Sequence, residues 1–140
     1  MRLHKLDFES SYGAVQVSTG VATADSARLI LMLFDGLLES LAVARGHITY
    51  GNIAAKGKAI SRASGIVLGL QGALDFERGG NLARNLDDLY SYVTRRLLHA
   101  NANNDVEAID EVRGLMQEIR DAWCSLPGLM PGRTQSVVFN

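Results

Sequence analysis

The stretch DVEAIDEVRGLMQEIRDAW, residues 105–123, carries apolar side chains at Ile109, Val112, Met116, Ile119 and Trp123. The spacing is a strict alternation of three and four, the seam of a helix that buries one stripe against other helices. Asn104, followed three residues later by Glu107, has the form of a capping box with Asn in the usual Ser or Thr place, which predicts the start of this helix. One such helix cannot bury its stripe alone, so the rest of the chain must supply partners of the same kind.

Reading outward, the Asn-rich run 101–104 closes a preceding helix whose stripe is Leu82, Leu86, Leu89, Val93, Leu97 and Ala100. That helix follows a turn at residues 75–80, which ends in Gly79 and Gly80. Before the turn, Ile53, Ile60, Val67 and Leu74, with Ala63 and Leu70 between them, predict a helix over about 52–74. Thr49, Tyr50 and Gly51 separate it from a first helix over about 26–48, entered through Asp25 as N-cap and striped by Ile30, Leu33, Phe34, Leu37, Leu41, Ala44 and Ile48. Four helices of about 30 Å joined by loops of a few residues pack most economically as an antiparallel up-down-up-down four-helix bundle. The expected fold class is all-α: a flexible arm over 1–24, rich in Ser, Thr and Gly from residue 10, a bundle over 25–125, and a tail over 126–140 in which Pro127 and Pro131 oppose helix.

Apolar residues form 47% of the 140-residue chain and charged residues 21%, enough to build a core and too apolar for disorder. A net charge of −1 points to neither nucleic acid nor an anionic membrane. The N-terminal residues lack the apolar core of a signal peptide and no run reaches the ~18 apolar residues of a membrane span, so a soluble protein is expected. The single cysteine, Cys124, has no partner for an intramolecular disulfide, which suits a reducing cytoplasm. None of His4, His47 and His99 follows a Glu by three residues, as a di-iron bundle requires. Asp87 with Asp88, and Asp110 with Glu111, point about 100° apart on their helices and cannot converge on one substrate. Cys124 has no neighbouring base, and Gly65, Gly69 and Gly72 lie within a periodic helix instead of following a strand as phosphate-binding glycines do. The expectation is a protein without catalysis, metal or cofactor.

Three features exceed what a stable bundle needs. Leu29, Leu31, Met32, Leu38, Ile66, Leu68, Tyr90, Tyr92, Leu98 and Leu115 are apolar residues off the core stripes, although about three positions in seven suffice for a core. They can widen the core, line a homodimer interface, or form a groove for a foreign amphipathic helix. Helix two carries Gly57, Gly65, Gly69 and Gly72, each about 1 kcal/mol less favourable than Ala in a helix; the readings are a shallow binding surface or tight packing on a neighbour. Finally, no acid lies between Glu39 and Asp75, whereas the last helix has six. Mutual attraction of a basic helix two and an acidic helix four accounts for this, with a nucleic-acid face through Lys56, Lys58 and Arg62 as the rival, weakened by the absence of interleaved aromatics.

The segment Leu31-Met32-Leu33-Phe34-Asp35-Gly36 resembles a first-helix motif of the FliS family, small helical chaperones of flagellin. Asn85-Leu86-Asp87-Asp88-Leu89-Tyr90-Ser91-Tyr92-Val93, with Arg96-Leu97 and Ala100-Asn101, is similar to the family's third-helix signature. Gly79-Gly80 precedes it, and Asp110-Glu111-Val112 and Trp123 follow in the family's order. The resemblance covers roughly residues 12–124; Phe34 stands for the usual Tyr, and the entry to helix one lacks the family's Pro and Glu. It implies a cytoplasmic export chaperone, monomer or weak homodimer, that binds the disordered C-terminal segment of flagellin and prevents premature polymerisation, with an export-gate component as a further partner. It also implies a movable cover in the arm, at Tyr12, Val15 and Val17. The partner-binding residues expected are these three with Leu31, Leu38, Ile66, Leu68, Tyr90, Tyr92 and Leu115. The alternative is a self-associating structural bundle with no flagellin ligand.

Overall fold

The computed structural model describes residues 23–125, with side chains from Ser26 onward; the expected tail and residues 1–22 of the expected arm lie outside these residues, and the arm's last two, Thr23 and Ala24, open the first helix instead. Four helices make up the described chain: α1 (Thr23–Tyr50), α2 (Ile53–Gly72), α3 (Phe76–Asn103) and α4 (Val106–Cys124). The connections are two, three and two residues long, so each helix must turn back along its predecessor. Substantial packing joins α1 to α2, α2 to α3, α3 to α4 and α4 to α1. That closed ring is the antiparallel bundle the sequence predicts.

The four stripes meet in one core. Phe34, Leu37, Leu41 and Ala44 from α1, Ala63, Val67 and Leu70 from α2, Leu86, Val93 and Leu97 from α3, and Ile109, Val112 and Met116 from α4 are all fully buried. Burying each large member contributes about 1.5–3 kcal/mol. Trp123 closes the ring: its indole Nε1 donates to the Ala27 carbonyl at 3.1 Å, tying the end of α4 to the start of α1. Leu33, Ile48 and Leu89 are only half-buried, and Ile53 is exposed because it opens α2 at the end of the bundle, before the helix meets its neighbours.

Helix ends account for the backbone groups that the helices leave over. Gly51 takes φ +76, and two bonds, Asn52 N–H to the His47 carbonyl and Gly51 N–H to the Ile48 carbonyl, complete a Schellman motif at the end of α1. Gly80, at φ 54 and ψ −129, breaks α3 after an opening turn capped by the Asp75 carboxylate, which accepts from Arg78 N–H. Two expected caps are corrected. α1 begins at Thr23, so Asp25 lies inside the helix instead of ahead of it. Asn104 is not the N-cap of α4: at φ 52 it is the left-handed residue that ends α3, and Asp105 caps α4 by accepting from Glu107 N–H and Ala108 N–H. Asn and Asp both tolerate the left-handed region and both cap helices, so the backbone angles of the turn separate the two roles.

The α3–α4 turn is held from two sides. Lys56 of α2 is buried, and its ammonium donates to the Asn101 carbonyl at 2.8 Å and to Asn104 Oδ1 at 2.6 Å. A positive charge thus sits on the negative end of α3. The His99 ring lies 3.0 Å from the Asp105 carboxylate on the other side.

Lys56→Met, which keeps the buried stem and removes the donor, is expected to destabilise the bundle by about 1–2 kcal/mol in urea unfolding. Burial pushes the Asp105 carboxyl up, but the Ala108 N–H, the His99 ring and the Glu107 N–H together hold it below the ordinary value. A depressed folded-state value means that this contribution is complete above the unfolded carboxylate value of about 4 and is lost as the pH falls through the folded one. The urea midpoint should therefore drop on acidification below about pH 4, and Asp105→Asn, which keeps a cap acceptor without the charge, should show a shallower drop.

Candidate interaction surface

The residues expected to bind a partner do not form one patch. Tyr12, Val15 and Val17 lie outside the described residues. Tyr90 is fully buried and Leu31 is 6% exposed, so both belong to the core and are corrected as surface contacts. Tyr90 takes the central place that the sequence reading gave to Leu89. The rest distribute around the ring by helical register. Leu38 lies three residues after Asp35, whose carboxylate accepts from Arg120 of α4 at 2.8 Å, so it belongs to the α1–α4 seam. Leu115 lies four residues after Glu111, which accepts from Tyr92 and Arg96 of α3, so Leu115 and Tyr92 share the α3–α4 seam. Tyr92 is half-buried with its hydroxyl held by Glu111, and that bond first, then Arg96, keeps the Glu111 carboxyl below its usual range. Ile66 packs on the α1–α2 seam beside Gly36. Leu68, 57% exposed, flanks Gln71, which donates to Asp87 and Ser91 of α3.

Exposed large apolar side chains collect instead at the two ends. Leu29, Met32, Leu68 and Phe76 lie where α1 begins, α2 ends and α3 begins; Tyr50, Ile53 and Leu98 lie at the other end, with Val43 between. Leu29, Met32, Leu68 and Leu98 are among the surplus residues of the sequence reading, but Val43, Tyr50, Ile53 and Phe76 are not. Tyr50 and Phe76 each border a turn, a signal that the stripe counting passes over.

The glycines of α2 settle as open surface. An added Cβ at Gly57, Gly65, Gly69 or Gly72 would meet nothing within 4 Å, so none of them is required for packing within the chain. From Ala63 to Leu74 the helix carries no charge, and its outer side over Gly65, Gly69 and Gly72 is bare. On the α3 side rises Leu68, and on the α1 side half-buried Ile66 borders it beside Gly36; Met32 and Leu29 are exposed on α1 at the same end of the bundle. Below this apolar shelf Arg62 crosses to α1, donating to the Gly36 carbonyl at 3.2 Å and to Ser40, with Glu39 3.9 Å away.

The charge segregation has a different account from mutual attraction of α2 and α4, which are diagonal in the ring. Asp110 of α4 pairs with Arg45 of α1 at 2.8 Å, Arg120 with Asp35 of α1, and Glu111 with Arg96 of α3 at 2.8 Å. Two of the acids of α4, Asp110 and Glu111, thus pair with its two true neighbours, and Asp121 lies 3.6 Å from Arg120 of its own helix. Among the described residues no group of three or more His, Cys, Asp or Glu side chains could hold a metal, and no described helix is long and apolar enough to cross a membrane.

What the fold and surface define is an all-α four-helix bundle with apolar side chains left uncovered at both ends. The family model described as flagellar protein FliS matches residues 8–127, and the chain belongs to that family. It is 46% identical over 114 residues to the flagellar secretion chaperone FliS of Salmonella typhimurium, covering 81% of this chain and 84% of that one. It is 46% identical over 112 residues to the flagellar secretion chaperone FliSB of Pseudomonas aeruginosa, covering 80% and 89%, and 43% identical over 114 residues to the Escherichia coli FliS, covering 81% and 84%.

Gly65→Ala with Gly69→Ala is expected to raise stability by about 1–2 kcal/mol, since each replaces a poor helix former where the new methyl meets open space. Thermal or urea unfolding of the double variant checks it.

Proposed function

We propose that this protein is a flagellar export chaperone that binds the disordered C-terminal segment of flagellin, keeps it from polymerising, and hands it to the export apparatus. Its relatives' names support the flagellar secretion role. The observation that carries the binding role is the uncharged, glycine-floored shelf on α2 beside exposed Leu68. A partner helix can approach a bare backbone closely and bury Leu68 over the uncharged stretch 63–74. A ligand that folds as it binds spends part of its contact energy on ordering, which keeps the complex reversible, as delivery to an export channel demands. The place for this work is the cytoplasm, ahead of export, and a component of the export gate is the next partner. Half-buried Leu38, Ile66, Tyr92 and Leu115 and the arm residues Tyr12, Val15 and Val17 are the secondary contacts in this reading.

Co-expression with the host's flagellin should recover a complex that is lost when flagellin is cut before its C-terminal segment. Equal recovery of both would overturn the proposal. Leu68→Glu should weaken the complex at least tenfold with unchanged bundle stability, because Leu68 is exposed in the free protein.

A further inference from the structure

The exposed charges of α2 lie on the same line as its bare glycines. Lys58, Arg62, Gly65, Gly69 and Gly72 alternate four and three residues apart, which puts all five on one stripe of the helix, and every one of them is exposed. The stripe is two cations followed by three glycines, about 21 Å from end to end. Little neutralises the cations. Among the described residues Lys58 makes no ion pair, and Arg62 has Glu39 at 3.9 Å, with side chains 56% and 72% exposed. Four residues apart on one helix face, the two positive groups repel each other in the free protein. The turn beyond Gly72 carries the opposite sign, with Asp75 and Glu77 against Arg78.

We infer that the helix received on this shelf runs antiparallel to α2 and ends over Lys58 and Arg62, with the α-carboxylate of the bound chain as their counterion. The inference rests on the proposed function, in which the ligand is a C-terminal segment, and adds its direction and the group that fixes it. Three fields agree on that direction. The last turn of a helix is its negative pole and leaves carbonyls unpaired, so it belongs at the cations, and a terminal carboxylate adds a full negative charge there. Reversed, the same helix would bring its carboxylate to Asp75 and Glu77. Antiparallel alignment also sets the ligand's dipole against that of α2. The glycines supply the approach: with no Cβ at 65, 69 and 72 to hold it off, the ligand backbone settles low enough on the stripe for its end to meet the Lys58 ammonium. Arg62 bonds Gly36 and Ser40 through Nη1, which leaves Nε and Nη2 as donors for the carboxylate.

The test uses the full-length protein and the C-terminal segment of the host's flagellin, synthesised once with a free terminal carboxylate and once with a terminal amide. At low salt the acid should bind about fivefold more tightly than the amide. The difference should vanish near 1 M salt, where charges are screened within about 3 Å. In Lys58→Gln the acid should lose most of its advantage. A spin label beside the ligand's last residue should broaden the amide signals of Lys58 and Arg62 more than those of Gly69 and Gly72. Equal binding of acid and amide overturns the inference and leaves the proposed function standing, as does an advantage untouched by Lys58→Gln or stronger broadening at Gly69 and Gly72. If neither form binds, the proposed function falls and this inference falls with it.

Discussion

No helix of this protein can keep its apolar stripe dry without the other three, and the two- and three-residue connections leave each helix no choice of neighbour. The rest of the structure follows from that constraint. Because sequence neighbours must be spatial neighbours, the one contact that closes the ring is between the last helix and the first. Trp123 ties one end of it by donating to a backbone carbonyl across 96 positions of sequence. The flanking ion pairs of α4, Arg45 with Asp110 and Arg120 with Asp35, are partly exposed and screened; their use is to fix how far α4 slides along α1 more than to hold it there.

The polar groups sit where the helices stop. The Asn104 and Asp105 pair divides one tight turn between two tasks, ending α3 in the left-handed region and opening α4 with a carboxylate. Lys56 reaches from α2 to the same turn and takes the Asn101 carbonyl. Three of the four helices therefore converge on one point through hydrogen bonds as well as through the core, and a buried ammonium is tolerated because its acceptors are in place.

The architecture was legible because periodicity survives packing. The five stripe residues of α4 are all buried, and those of α1 fail only at half-buried Leu33 and Ile48. What was not legible is instructive in its causes. From Leu86 a helical stripe can continue to 89 or to 90; the larger ring of Tyr90 fills the bundle centre, and no spacing rule chooses between them. Asn and Asp at 104 and 105 are both competent caps, and only the backbone angles of the turn separate their roles. Lys56 reads in sequence as part of a basic face, yet its chain is buried by α3. The binding residues fared worst, since a residue just off a stripe is exposed or covered according to which neighbour packs on that side. Leu31 and Leu68 look alike in sequence and end in opposite environments. Whether the α2 glycines served tight packing or open surface was undecidable until the space around them was known.

That open surface has a kinetic side. Four of the twenty residues of α2 are glycine, so its backbone has more unfolded conformations to return to than those of α3 or α4, while its outer side contributes almost no contacts that would resist opening. Brief local melting should begin there. The surface of α2 that is easiest to approach is then also the part of the backbone that yields most readily, and a ligand lying along it would slow that opening and rigidify the bundle from outside.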